Sequence, residues 1–157
     1  MAKNKEEKTN VMRVLEQKKI AYTAHTYPHE EGVAVDGVTV AKSMGFDPAI
    51  VFKTLVARGA SKQYYVFDVP VAENLDLKKA AKAVGEKSIE MTHQKALLRG
   101  GCSPVGMRKQ LRTVFASQAL AQETILVSAG KIGYQVELAP HDLAALVRAK
   151  FADIIVE

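Results

Sequence analysis

Ile50-Val51-Phe52-Lys53-Thr54-Leu55-Val56 is a nearly continuous apolar run with β-branched and aromatic members, and it reads as a strand. Asp47-Pro48 precedes it and Gly59 follows it. Side chains on a strand alternate between faces, so Val51, Lys53 and Leu55 point one way and Phe52, Thr54 and Val56 the other. A lysine between two aliphatics has two readings. In one, the strand lies at a sheet edge and the Lys53 stem covers apolar neighbours while its ammonium reaches water. In the other, the ammonium is held at the floor of a pocket, facing an anion or a carbonyl. The run itself leaves both open.

Outward from this strand, Gly59-Ala60-Ser61-Lys62 turns the chain into a second apolar strand, Tyr64–Val69, which predicts a hairpin closed by Pro70. Upstream, residues 1–9 read as a solvated tail, and Asn10 is placed to cap a helix over Val11–Lys18. Ile20–Tyr27 alternates like a strand that Pro28 ends, Glu30–Gly37 is a loop, and Val38–Met44 is a short helix stopped by Gly45. Asp47-Pro48 is a cap followed by a first turn. Downstream, Asp76 caps a helix over Leu77–Val84 that ends at Gly85, and Thr92 opens a short helix through Leu98. Thr113–Ala116, Thr124–Ala129 and Ile132–Ala139 read as strands, the last two joined at Gly130-Lys131. Pro140–Arg148 is a closing helix, and Ile154–Val156 a terminal apolar run. Helices and strands mix without a regular βαβ alternation, and hairpin signals recur. The expected class is α+β: a mixed, mostly antiparallel barrel-like sheet surrounded by helices, in one domain over residues 10–157.

The chain has 157 residues, 48% of them hydrophobic, which suits a single domain with a proper core. Its lone cysteine, Cys102, cannot form an internal disulfide. The charged stretch from Met1 to Asn10 lacks the apolar segment of a signal peptide, and no apolar run approaches the ~20 residues of a membrane span. A cytoplasmic chain with no membrane partner is expected. The net charge of +5 fits an anionic partner such as RNA, phosphate or an acidic protein, although many ordinary enzymes are equally basic.

Gly100-Gly101-Cys102-Ser103-Pro104-Val105-Gly106 carries three glycines and a proline in seven residues. Such a loop lets backbone approach a ligand, and consecutive N–H groups make an oxyanion nest; a plain surface turn reads equally well. Ser103 lacks the flanking pattern of a nucleophile elbow, and Cys102 has no partner base visible in the sequence. His25 and His29 have the spacing of a helical metal pair, but Pro28 between them argues against a helix, so no metal is expected. Gly85-Glu86-Lys87-Ser88 lacks the first glycine of a phosphate-binding loop and more simply ends a helix. Lys78, Lys79, Lys82 and Lys87 form either a solvated helix face or one side of an RNA groove.

Three ordered pieces carry a resemblance that runs from about Val11 to Asp153. They are His25-Thr26-Tyr27, then Val51-Phe52-Lys53-Thr54-Leu55, then the Gly100–Gly106 loop followed by Val127-Ser128-Ala129-Gly130-Lys131. Together they resemble the YbaK/EbsC family of aminoacyl-tRNA deacylases, relatives of the editing domain of bacterial prolyl-tRNA synthetases. The resemblance implies a trans-editing enzyme that hydrolyses misacylated tRNA, above all Cys-tRNA(Pro), without a cofactor. It implies catalytic roles for Lys53 and Gly101, and a substrate-binding set of Tyr27, Thr54, Gly100, Ser103, Pro104, Ser128, Gly130 and Gln135. The implied mechanism is substrate-assisted, the thiol of the esterified cysteine attacking its own carbonyl. The implied partners are the acceptor end of tRNA(Pro) and prolyl-tRNA synthetase. Ala129 stands where a second glycine is common, and Gln135 where the cysteine-specific branch often has an acid. Alanyl- or seryl-tRNA as substrate, or a non-catalytic module binding tRNA or a synthetase, are the rival expectations.

Overall fold

The computed structural model describes residues 8–30, 35–92, 103–105 and 110–157. In chain order the elements are α1 (Asn10–Gln17), β1 (Thr23–Thr26), α2 (Gly37–Ser43), β2 (Phe52–Gly59), β3 (Tyr64–Pro70), α3 (Leu77–Val84), β4 (Ile89–Met91), β5 (Arg112–Ala116), β6 (Ile125–Ser128), β7 (Tyr134–Leu138), α4 (Pro140–Val147) and β8 (Lys150–Ala152). A 3₁₀ turn at Pro48–Ile50 leads into β2, capped by the Asp47 side chain as the Asp-Pro pair predicts. Asp76 caps α3 by accepting from the N–H groups of Lys78 and Lys79, which satisfies two donors the helix cannot bond internally.

Several local expectations shift. Thr9, not Asn10, caps α1: its side chain accepts from the Met12 N–H, so Asn10 becomes the first helical residue. Two three-residue strands, β4 and β8, escape the sequence because so short a run shows no periodicity. The helix expected from Thr92 to Leu98 lies outside the described residues beyond Thr92 itself, whose hydroxyl donates to the Val56 carbonyl.

The strands form two sheets. One is antiparallel, in the order β1-β7-β6; the other runs β4-β2-β3-β5-β8. In the second, β2 pairs antiparallel with β3 and β4, while β3–β5 and β5–β8 are parallel. The class is therefore α+β with mixed pairing. The described pairings do not close into a barrel; the sheets meet at one parallel bridge, Val51 to Leu126. This bridge also disposes of the edge-strand reading of β2. That strand has β3 along one side, and along the other β6 at its start and β4 at its end.

The main core gathers Val11, Met12 and Leu15 of α1, Ala80, Ala81 and Val84 of α3, Leu143, Ala144 and Val147 of α4, and the strand residues Phe52, Phe67, Phe115, Val127 and Val136. A smaller cluster lies beside α2: Ala41, Val51, Val71 and Leu126 are buried, with Val38, Met44, Phe46 and Ile50 against them. Leu126 is fully buried at the seam between the sheets. We expect Leu126→Ala to cost about 2–5 kcal/mol, the range for truncating a fully buried leucine. A denaturant melt showing a loss below about 1 kcal/mol would mean that the sheets do not depend on this seam.

Candidate functional site

Register places the site. At the seam Leu126 pairs in parallel with Val51. The pairing ends at that single bridge; continued two residues along both strands, its register would bring Ser128 to the side of Lys53. Ser128 in turn pairs with Gln135, and Gln135 with His25. Directly paired residues share a face, so Ser128, Gln135 and His25 form one row across β6, β7 and β1, which the continued register extends to Lys53 on β2. At about 4.8 Å between strands the row spans roughly 14 Å. Core membership supports the assignment on β6 and β7. Val127 and Val136, one step along β6 and β7, belong to the main core, whereas Leu126 belongs to the cluster beside α2; on β2 the main core takes residues of both faces, Phe52 on one and Ala57 with Val69, the direct partner of Lys53, on the other.

The row is half-buried and polar. Lys53 is neither fully buried nor exposed, while Ser128 and Gln135 are buried. Among the described residues the Gln135 Oε1 has no hydrogen-bond partner. Tyr27 follows β1, tied by its N–H to the Gly133 carbonyl at 3.0 Å, and its ring is buried with an Oη that likewise lacks a partner. Burial pushes the Tyr27 hydroxyl above the usual phenol range; the nearby Gly133 backbone opposes this only in part and makes no hydrogen bond to Oη. Buried polar atoms are almost always satisfied, so two without a partner among the described residues make this row the candidate site for a polar ligand.

The turn between β6 and β7 frames the row. The Ser128 Oγ accepts from the Gly130 N–H at 3.1 Å. Gly130 and Gly133 both hold positive φ, at 89° and 98°. A Cβ on Gly133 would lie 2.2 Å from the ring of the exposed His29, which would have to swing aside, and the positive φ favours glycine there in any case. Ser103, Pro104 and Val105 are buried, the Ser103 Oγ accepting from the Val105 N–H, and Val105 joins the main core. Gly100, Gly101, Cys102 and Gly106 lie outside the described residues.

Thr54 goes elsewhere. As the neighbour of Lys53 it points to the opposite face, where its hydroxyl donates to Asp68 Oδ1 at 2.6 Å across the β2–β3 pair. Asp68 is fully buried and its Oδ2 has no partner among the described residues. Burial raises its carboxyl pKa to about 7, the Thr54 hydrogen bond opposing only part of the shift. The sequence held a signal for it, a single acid inside the apolar run Tyr64–Val69. Glu137 was missed too. It alternates with Gln135 on β7, accepts from His25 and Thr124, and so faces the same side as the row. His25 and His29 do not converge: His25 turns to Glu137, His29 to the Tyr27 carbonyl, and no metal-holding group of three appears among the described residues. The lysine face of α3 is partly engaged, because Lys79 is bonded to Asp153, Glu157 and the Ile155 carbonyl.

Residues 32–146 match the family model of the aminoacyl-tRNA editing domain. The chain belongs to that family. It is 44% identical over 161 residues to the proposed Cys-tRNA(Pro)/Cys-tRNA(Cys) deacylase EbsC of Enterococcus faecalis, covering 98% of each chain. Its fold is shared with a crystal structure described as a proposed trans-editing enzyme for prolyl tRNA synthetase (TM-score 0.77, 22% identity, 94% and 95% of the two chains). A scaffold protein from a study of computational epitope grafting is similarly alike (TM-score 0.80, 23% identity, 94% and 95% covered). Among the described residues no helix is long and apolar enough to cross a membrane.

Asp68 generates a pH prediction. Folded, it holds a proton up to about pH 7; unfolded, it releases it near the ordinary 3.8. Between those values the folded state binds more protons, so stability falls as pH rises through that window. Asp68→Asn removes this slope, and its stability relative to the parent should grow by about 4 kcal/mol from pH 4 to pH 8. Parallel urea melts at the two pH values read the difference. Equal gaps at both would show that Asp68 ionises normally in the fold.

Proposed function

We propose that this chain edits translation by hydrolysing Cys-tRNA(Pro) in trans, through a substrate-assisted reaction. Membership of the editing-domain family makes it an aminoacyl-tRNA deacylase; the amino acid, the tRNA and the mechanism are the proposal. The observation that carries it is the row of Ser128 and Gln135 continued to the half-buried Lys53, with polar atoms of Gln135 and Tyr27 that lack a partner among the described residues. Such a row suits a polarised ester joined to a phosphorylated chain. Lys53 serves the tRNA terminus or the charge growing on the carbonyl, and Tyr27, Ser128 and Gln135 hold the aminoacyl end. By the resemblance, the backbone of the Gly100-Gly101 loop stabilises the oxyanion, with Ser103, Pro104 and Gly130 shaping the pocket. Thr54 acts from behind, fixing β2 through Asp68. The relative named as a Cys-tRNA deacylase supports cysteine as the amino acid, and the basic surface supports a tRNA partner. Prolyl-tRNA synthetase is the proposed source of tRNA, and the cytoplasm the proposed setting.

Catalysis of this kind works by orientation and preorganised dipoles, which supply several kcal/mol without a protein nucleophile. Lys53→Ala should keep the fold, since its side chain is half-exposed, and should lower single-turnover deacylation by at least about 10²-fold. A folded variant with parental turnover would return Lys53 to the role of a snorkelling surface residue.

Size alone separates cysteine from serine or alanine poorly, because a methylene-scale difference is worth about 1–3 kcal/mol. A reaction that needs the substrate's sulfur escapes that limit. Cys-tRNA(Pro) should be cleaved at saturating enzyme while Ser-tRNA(Pro) and Ala-tRNA(Pro) survive. Comparable single-turnover rates for alanine and cysteine would refute thiol dependence and place the chain among alanine editors.

A further inference from the structure

We propose that His25 is the general base of this site, taking the proton of the attacking nucleophile at its Nδ1. The inference rests on the deacylase reading and deepens it. Thr124, just ahead of β6, donates to Glu137 Oε2 at 2.6 Å, and Glu137 Oε1 lies 2.8 Å from His25 Nε2. The Thr124 hydroxyl foremost, and the His25 contact after it, hold the Glu137 carboxyl below its ordinary range against the opposing effect of burial. An ionised carboxylate can only accept, so Nε2 carries the hydrogen. A neutral ring then keeps its lone pair on Nδ1, which makes no hydrogen bond among the described residues. Phe46 meets the ring edge-on at a centroid distance of 5.0 Å. Hydrogen bond and aromatic contact thus fix both tautomer and orientation, the two tasks an orienting carboxylate performs for a catalytic histidine.

Place supports chemistry. His25 pairs directly with Gln135, whose unsatisfied Oε1 marks the aminoacyl end of the site, and cross-strand Cβ atoms lie about 5 Å apart. The imidazole is about a quarter exposed, so a ligand can reach it. The titratable groups around it are Glu137 across the strand pair, Tyr27 two residues along the chain, and His29 beyond Tyr27; Phe46 contributes no charge. A paired His and Glu could merely brace β1 against β7. Bracing, however, requires neither a bare Nδ1 nor a position in the row.

The step balances. Nδ1 takes the thiol proton, and the sulfur electron pair forms the C–S bond while the carbonyl π pair moves to oxygen. Collapse breaks the bond to the ribose oxygen, and the imidazolium returns its proton to that oxygen. The tRNA leaves with a free terminal hydroxyl, and the cysteine leaves as a thiolactone that water opens.

Two variants separate base from brace. His25→Gln keeps an N–H able to reach Glu137 but has no base, so thermal melting should change little while the single-turnover rate falls about 10²–10⁴-fold. It should also erase the acid limb of the parental pH–rate profile. His25→Ala should regain part of its rate when free imidazole is added. Parental rates in folded His25→Gln, or a loss in both variants that imidazole does not restore and that leaves the pH profile unchanged, would overturn the assignment. The same assays on parental enzyme separate the two levels of inference. Release of alanine or serine but not cysteine, with imidazole rescue of His25→Ala, supports the base and removes only the cysteine reading. A parental chain that frees no amino acid from any of the three tRNAs overturns both.

Discussion

One parallel bridge, Val51 to Leu126, is the constraint on which the site depends. Among the described residues the two sheets are otherwise separate ladders, each with its own register. Where they meet fixes which residue of β6 stands beside Lys53. Because side chains alternate with period two, a slip of one residue at the seam would set Val127 there instead, and would turn Ser128 toward the core. The seam resists that slip by hydrophobic patterning. Leu126 is buried in the cluster beside α2 and Val127 in the main core, and a slip of β6 would exchange the two.

The same alternation divides labour along β2. Lys53 faces the row, and Thr54 is bound to Asp68 on the other side. A carboxyl with no exposed surface is costly to ionise, and one of its oxygens lacks even a hydrogen-bond donor among the described residues. The hydroxyl of Thr54 offsets part of that cost and ties the backbone of β2 to β3 one residue from the ammonium. On a strand so anchored the backbone of Lys53 is held in place before a ligand arrives.

Much of the fold was legible because its signals are local. Asp47-Pro48, Asp76 and Gly85 punctuate the chain as they read, and the hairpin across Gly59–Lys62 forms where the turn residues stand. What stayed hidden is non-local. No residue of β3 announces that β5 will lie parallel to it, and three residues at β4 or β8 carry too little pattern to declare a strand. The site divides in the same way. Lys53 drew notice as a charge in an apolar run, but its link to Ser128, Gln135 and His25 exists only through register. Thr54, which strand alternation sets opposite Lys53, was implied as a pocket residue by the resemblance alone, and its hydroxyl is bound to Asp68 on that other face. Glu137 sits 112 residues from the histidine it holds, and no spacing rule reaches so far.

The chemical character of the row follows from what lies between its ends. Ser128 and Gln135 are neutral, so within the row the fixed positive charge stands at β2 and the orienting carboxylate lies beside β1, with only neutral dipoles between. An acid in place of Gln135 would set a negative charge between the ammonium and the histidine. It would also compete with Glu137 for the imidazole proton, blurring the tautomer that leaves Nδ1 bare. The neutral amide avoids both effects while keeping an acceptor for a ligand N–H or S–H. An aminoacyl ester has the matching polarity: phosphates and ribose on one side, a carbonyl at the centre, and a small residue with an acidic hydrogen at the other end. On the proposed reading, Gln135 is therefore compatible with cysteine chemistry, because the proton acceptor that an acid could supply is provided one strand away by His25.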